Sequence, residues 1–94
     1  MTQVVNVKTD QTIIKEARRA GIYVPVHRPF RWGNQFVVGR DGTRDEVVRK
    51  HWRWLLDHEE LWPEVALLKD RVLGCHCVPL RCHAENLAWL ADNL

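Results

Sequence analysis

The sequence predicts a small α/β domain with a mostly parallel sheet and helices on both faces, Rossmann-like in layout, running as one domain over residues 1–94. Three observations carry this. Short β-branched runs alternate with stretches of helical periodicity, the pattern of strand–helix–strand units. At 94 residues there is room for one hydrophobic core and little more. No internal repeat or low-complexity linker divides the chain.

Taken in order, Gln3 to Val7 alternates apolar and β-branched residues and reads as the first strand. Asp10 or Thr12 can cap a helix whose inner face is Ile13, Ile14 and Ala17, with Gly21 at its C′ stop. Ile22 to Val26 is β-branched and aromatic, a second strand limited by Pro25 and Pro29. His27 to Phe36 is too rich in Pro, Gly and Arg for a regular element, and Val37-Val38-Gly39 is expected to add a short strand before a turn at Asp41-Gly42. Thr43-Arg44-Asp45-Glu46 forms a capping box, opening a helix to about Asp57 with Val48, Trp52 and Leu55 inward. Trp62-Pro63-Glu64 opens a shorter helix through about Lys69, with Pro at its first position. Val72 to Cys77 reads as a buried strand. Leu87, Leu90, Ala91 and Leu94 then give the apolar stripe of a last helix.

Ordinary apolar content and five tryptophans exclude a disordered chain, and no apolar run approaches a membrane span. The opening Met-Thr-Gln-Val-Val-Asn lacks the charged and apolar regions of a signal peptide. Three clustered cysteines, an odd number, argue for free thiols and hence a cytoplasmic setting. The net charge of +2 conceals an asymmetry: residues 15–53 hold ten Lys or Arg against four Asp or Glu, residues 57–94 three against seven. The basic half can attract phosphate groups, although Arg18, Arg19, Arg49 and Arg53 fit equally well as solvated helix residues.

The chemistry concentrates between Cys75 and His83, where all three cysteines and two of the five histidines fall within nine residues. A strand that empties through a short loop into a helix places that loop at the carboxyl edge of the sheet, where open α/β folds bind ligands. Three interpretations follow. Cys75, Cys77, Cys82 and His83 can supply zinc with three thiolates and one imidazole, although the Cys-x-Cys and adjacent Cys-His spacing departs from the usual two separated pairs. If Cys82 and His83 open the helix, its first amides and Arg81 make an anion or nucleotide site. The same placement lowers the Cys82 thiol, making Cys82 a candidate nucleophile with His83 or His76 as base. Or the cysteines are small buried core residues.

A second wall of the site is the loop from His27 to Asn34. Gly33 can adopt backbone conformations closed to other residues, and Asn34 can hydrogen-bond locally or to a ligand. Arg28, Arg31 and Arg40 alternate there with Trp32 and Phe36, a mixture that can hold a base by stacking and a phosphate by charge. An Ω-type loop with solvated arginines accounts for the same residues. Trp52, Trp54 and Trp62 are expected in helix packing.

Several segments resemble a family known as a domain of unknown function in small phage and bacterial proteins. They are Tyr23-Val24, His27-Arg28-Pro29, Trp32-Gly33-Asn34-Gln35-Phe36, Gly39 to Val47, and Cys75-His76-Cys77-Val78-Pro79-Leu80-Arg81-Cys82-His83. That family usually carries Gly-Asn-Pro-Phe where this chain has Gln35. The end of the chain is also similar to an uncharacterised α/β family in which a Cys-His-Arg triplet opens the last helix, Ala84 standing for the arginine. The resemblances imply fold and site location, not a reaction. The expected function is therefore a module that binds a nucleotide or nucleic-acid phosphate between residues 28–34 and 75–83. Its alternatives are a zinc-bearing Cys/His module acting on a host or partner protein, and a cysteine-dependent enzyme on a nucleotide-like substrate.

Overall fold

In a computed structural model describing residues 1–94, the elements are β1 (Gln3–Asn6), α1 (Gln11–Arg19), β2 (Tyr23–Pro25), α2 (Arg44–Asp57), a 3-10 turn (Glu59–Leu61), α3 (Trp62–Ala66), β3 (Val72–Cys75) and α4 (His83–Asn93). The three strands form a parallel sheet in the order β1-β3-β2. The expected α/β architecture is present on a small sheet, half the six strands of a full dinucleotide-binding sheet.

β3 is buried along its whole length, as a central strand covered on both faces must be. Register aligns Val4, Leu73 and Val24 across the sheet, and alternation sends these residues to one face. That face meets Leu55 of α2, Val65 of α3, and Leu87, Leu90 and Ala91 of α4. The opposite face, Val5 and Val72 with Tyr23, is covered by Ile14 and Ala17 of α1. Gly74 lies under the Tyr23 ring, where an added Cβ would stand 2.8 Å from two ring carbons. Pro25 lies within β2 because β2 is an edge strand and needs ladder bonds on one side only.

Helix boundaries follow their caps. Thr43 Oγ1 accepts from the Glu46 amide and Glu46 returns a carboxylate to the Thr43 amide. Gly21 has φ +74°, the left-handed stop expected after α1. Four sequence expectations fail. Val37-Val38-Gly39 is not a strand but part of a tight turn, closed by Asp41 N–H to Val37 O and by the Asp41 carboxylate on the Val37 amide. α3 ends at Ala66, and the chain turns back through Asp70 at φ +62°. β3 stops at Cys75 instead of Cys77, because the register ends at Asn6 and Pro25 and the last bonds to its neighbours are Val7 N–H to the Cys75 carbonyl and Val26 N–H to the Gly74 carbonyl. Leu94 is exposed; the inner face of α4 is completed by Ala84 and Ala88. No helix is long and apolar enough to cross a membrane.

Candidate metal centre

The site forms where β3 runs out. Asn6, at the carboxyl end of β1, donates through Nδ2 to the carbonyls of Val78 (2.5 Å) and His76 (3.4 Å), folding residues 76–78 back over the sheet edge. Cys82 is the N-cap of α4: its Sγ accepts the Ala84 amide at 3.5 Å, and the Glu85 carboxylate accepts the Cys82 amide at 3.2 Å. The fold and the cap together bring the sulfurs of Cys75, Cys77 and Cys82 within 4.8 Å of one another. All three are free thiols; Cys75 and Cys82 are buried and Cys77 is half-buried.

A zinc tetrahedron built from bonds of roughly 2.3 Å to sulfur and 2.05 Å to nitrogen has S–S edges of about 3.8 Å and S–N edges of about 3.6 Å. The Cys75–Cys82 sulfurs stand 2.7 Å apart in an S–H···S contact, so a metal would open this pair by about 1 Å. The S–H···S contact with Cys82 holds the Cys75 thiol well below its ordinary range. The same hydrogen bond, with burial, pushes the Cys82 thiol up. The lowering of Cys82 expected from its helix position is thus reversed by its nearest neighbour.

His83 is buried beside the sulfurs. Its Nε2 lies 2.7 Å from the Val26 carbonyl and 3.0 Å from the Trp32 carbonyl. Both partners only accept, so Nε2 carries the proton, and in the neutral ring Nδ1 turns its lone pair to Cys82 Sγ at 3.6 Å. Behind it stands His51, ring centroids 5.1 Å apart. Burial, then the neighbouring His83, lowers the His51 pKa to about 3, and its Nδ1 accepts from Asn86 Nδ2. His51 is therefore neutral and places no cation against His83.

The sulfurs form part of the wall of a cleft of about 410 Å³ that also touches His27, Arg28, Asn34, Arg44, His76, Arg81 and His83. The two loops singled out in the sequence do meet here, and Arg28, Asn34 and Arg81 line the cleft with the four Cys/His residues. Asn34 has its side chain committed internally, accepting from the Phe36 amide and donating to the Val47 carbonyl. Arg31 and Gly33 line a neighbouring cleft of about 440 Å³ with Trp32, His51 and Trp54. There Arg31 pairs with Glu64 and lies over the Trp32 ring. Arg40 is folded back on Asp41 and the Gln35 carbonyl, away from both clefts. Gly33 is explained by close approach and not by an unusual φ: an added Cβ would meet Arg28 N, Cα and Cγ at 3.0 Å.

Two contributors, Arg44 and His51, were not foreseen from sequence, nor was the contact between His27 and His76. Arg44, at the first position of α2, reaches the Arg81 carbonyl. His27 and His76 stack edge to face, centroids 4.5 Å apart; a strand reaching Cys77 would have pointed His76 away. His51 fills the core position expected for Trp52, which is half-buried. A helix opening at the carboxyl edge of a parallel sheet was the signal available for Arg44.

A three-stranded parallel α/β layer with a cysteine trio at its carboxyl edge and arginines around the adjoining cleft defines a small α/β domain whose three sulfurs lie close enough together to hold a metal ion. The family model described as domain of unknown function (DUF4326) matches residues 5–93, and the chain belongs to that family. No curated protein and no solved structure matches it.

Proposed function

We propose that the protein is a zinc-binding module in which Cys75, Cys77 and Cys82 hold the ion at the cleft wall. The observation that carries this is the convergence of three reduced sulfurs within 4.8 Å from a strand end, a loop and a helix cap. Core packing alone asks for two small apolar residues here, not for a half-exposed third thiol turned to the same point. Free thiols suit a reducing cytoplasm, where the module would present its loop pair to a partner, a host protein among the candidates. The test is zinc titration of protein purified without a metal-affinity tag, in competition with a chromogenic chelator. Saturation near one zinc per chain, lost in Cys77→Ser, supports the proposal. Binding no tighter than that of the triple Cys→Ser variant refutes it.

A second reading of the same cleft is favoured by its arginines. Arg28 makes no ion pair, Arg44 reaches only a carbonyl, and Arg81 has one carboxylate, Asp45, at 3.8 Å with both side chains exposed. Guanidinium groups so placed suit the phosphate of a nucleotide or nucleic acid. The arginines carry this reading, since two of the three first-turn amides of α4, those of Ala84 and Glu85, are already engaged by Cys82. Calorimetric titration with a mononucleotide and with a short oligonucleotide separates the two ligand classes, and heat from neither at low salt counts against both. A cysteine-dependent reaction has less support, because Cys82 is buried and its sulfur serves as the helix cap.

A further inference from the structure

We infer that His83 supplies the fourth ligand through Nδ1, and that the metal thereby fixes residues 26–32, whose carbonyls hold the other side of the same ring. The inference rests on the zinc proposal above and adds to it a closed coordination sphere and a mechanical role.

The Nδ1–Cys82 Sγ separation of 3.6 Å equals one S–N edge of about 3.6 Å that a tetrahedral site requires; the cluster within 4.8 Å comprises the three sulfurs alone, so the imidazole would move toward the rest of the trio as the metal binds. The bonds from Nε2–H to Val26 and Trp32 are the backbone anchoring that orients metal-bound imidazoles elsewhere and fixes their tautomer. A histidine buried only for packing would direct its second nitrogen to a backbone or side-chain donor; this one faces the Cys82 sulfur. The ring is thus a strut, with Cys82 of the cysteine trio at one nitrogen and the loop at the other.

The segment at the far end of the strut is tied together by its own contacts. Phe30 N–H bonds to the His27 carbonyl and Gly33 N–H to the Phe30 carbonyl, while Gly33 presses on the Arg28 backbone too closely to admit a Cβ. Holding Val26 and Trp32 therefore holds Arg28, the unpaired guanidinium of the cleft. With four protein ligands the metal has no open position and acts as a structural clamp. An anion would bind at the arginines, beside the metal and not on it.

Cobalt(II) replaces zinc as the probe, read by its thiolate charge-transfer and visible ligand-field bands, together with hydrogen exchange of residues 26–33. In the wild-type chain we expect four-coordinate bands and slower exchange in that segment on metal addition. His83→Ala should shift the visible bands, weaken cobalt affinity by about tenfold or more, and abolish the metal-dependent protection. His83→Cys should restore four protein ligands and a sulfur-rich spectrum, but not the protection, since a thiol cannot reach both carbonyls. No charge-transfer band in the wild-type chain sinks the zinc proposal itself. Bands unchanged in His83→Ala overturn the fourth ligand alone, and protection that survives in His83→Cys overturns the strut. Should the variants fail to fold, cadmium-113 loading of wild-type protein with nitrogen-15 histidine decides the ligand: scalar coupling to His83 Nδ1 supports it, and its absence refutes it.

Discussion

Replacing His51 with Asn should flatten the acid limb of the stability curve. His51 is buried, with Nδ1 accepting from Asn86, and burial lowers its pKa from about 6.5 to about 3. The folded chain thus refuses a proton that the unfolded chain accepts below pH 6.5, so the stability this group permits is complete above that pH and is lost as pH falls from there toward 3. Each pH unit in that window costs about 1.4 kcal/mol, so at about pH 4.5 the loss is near 3 kcal/mol, a large share of the stability of a domain this size. Asn keeps an acceptor for Asn86 and removes the titration. Urea unfolding of metal-free wild type and His51→Asn, from about pH 7.5 to about pH 4.5, should show the wild-type stability minus the variant's falling by about 3 kcal/mol as pH falls, whatever its value at neutral pH. Parallel curves would refute the neutral buried imidazole.

Three further outcomes follow from the same geometry. Arg28→Ala should weaken binding of a phosphate-bearing ligand by about 10- to 100-fold, the worth of a charge-assisted pair, and Arg40→Ala should leave it unchanged; calorimetry showing equal losses would contradict the cleft assignment. Gly74→Ala forces a methyl group against the Tyr23 ring and should cost roughly 1–3 kcal/mol, read as a lower urea midpoint, with Tyr23→Ala in the same chain recovering part of it. Removing metal with a chelator should lower the melting temperature of wild type but not of Cys75→Ser, because a ligand present at about a hundred times its Kd stabilises by about 2.7 kcal/mol.

Local signals in the sequence proved reliable where the physics was local. The Thr43–Glu46 box, the Gly21 stop and the Leu87, Leu90 and Ala91 stripe of α4 each depend on residues within one or two turns, and each stands where it was expected, while Pro63 sits one residue inside α3, which opens at Trp62. The meeting of residues 27–34 with 75–83 was legible for a similar reason: both follow parallel strands, and parallel strands deliver their loops to one edge. What could not be read were the pairings across the chain. β3 stops at Cys75 because its neighbours stop, and the loop beyond it is held by Asn6, some seventy residues away. The strand pattern alone therefore turned His76 outward, whereas the bend places it against His27. Arg40 and Arg28 look alike in sequence; only the Asp41 turn shows that one is folded back and the other faces the cleft.

Native mass spectrometry of the untagged chain, sprayed from a volatile buffer after growth in zinc-supplemented medium, weighs the central claim in one step. The wild-type ion should appear heavier than its sequence by one zinc less the protons it displaces, and Cys77→Ser should appear at its bare sequence mass. A wild-type ion at bare mass, unchanged after incubation with zinc, would contradict the metal centre and leave the three thiols as core residues of an arginine-lined fold.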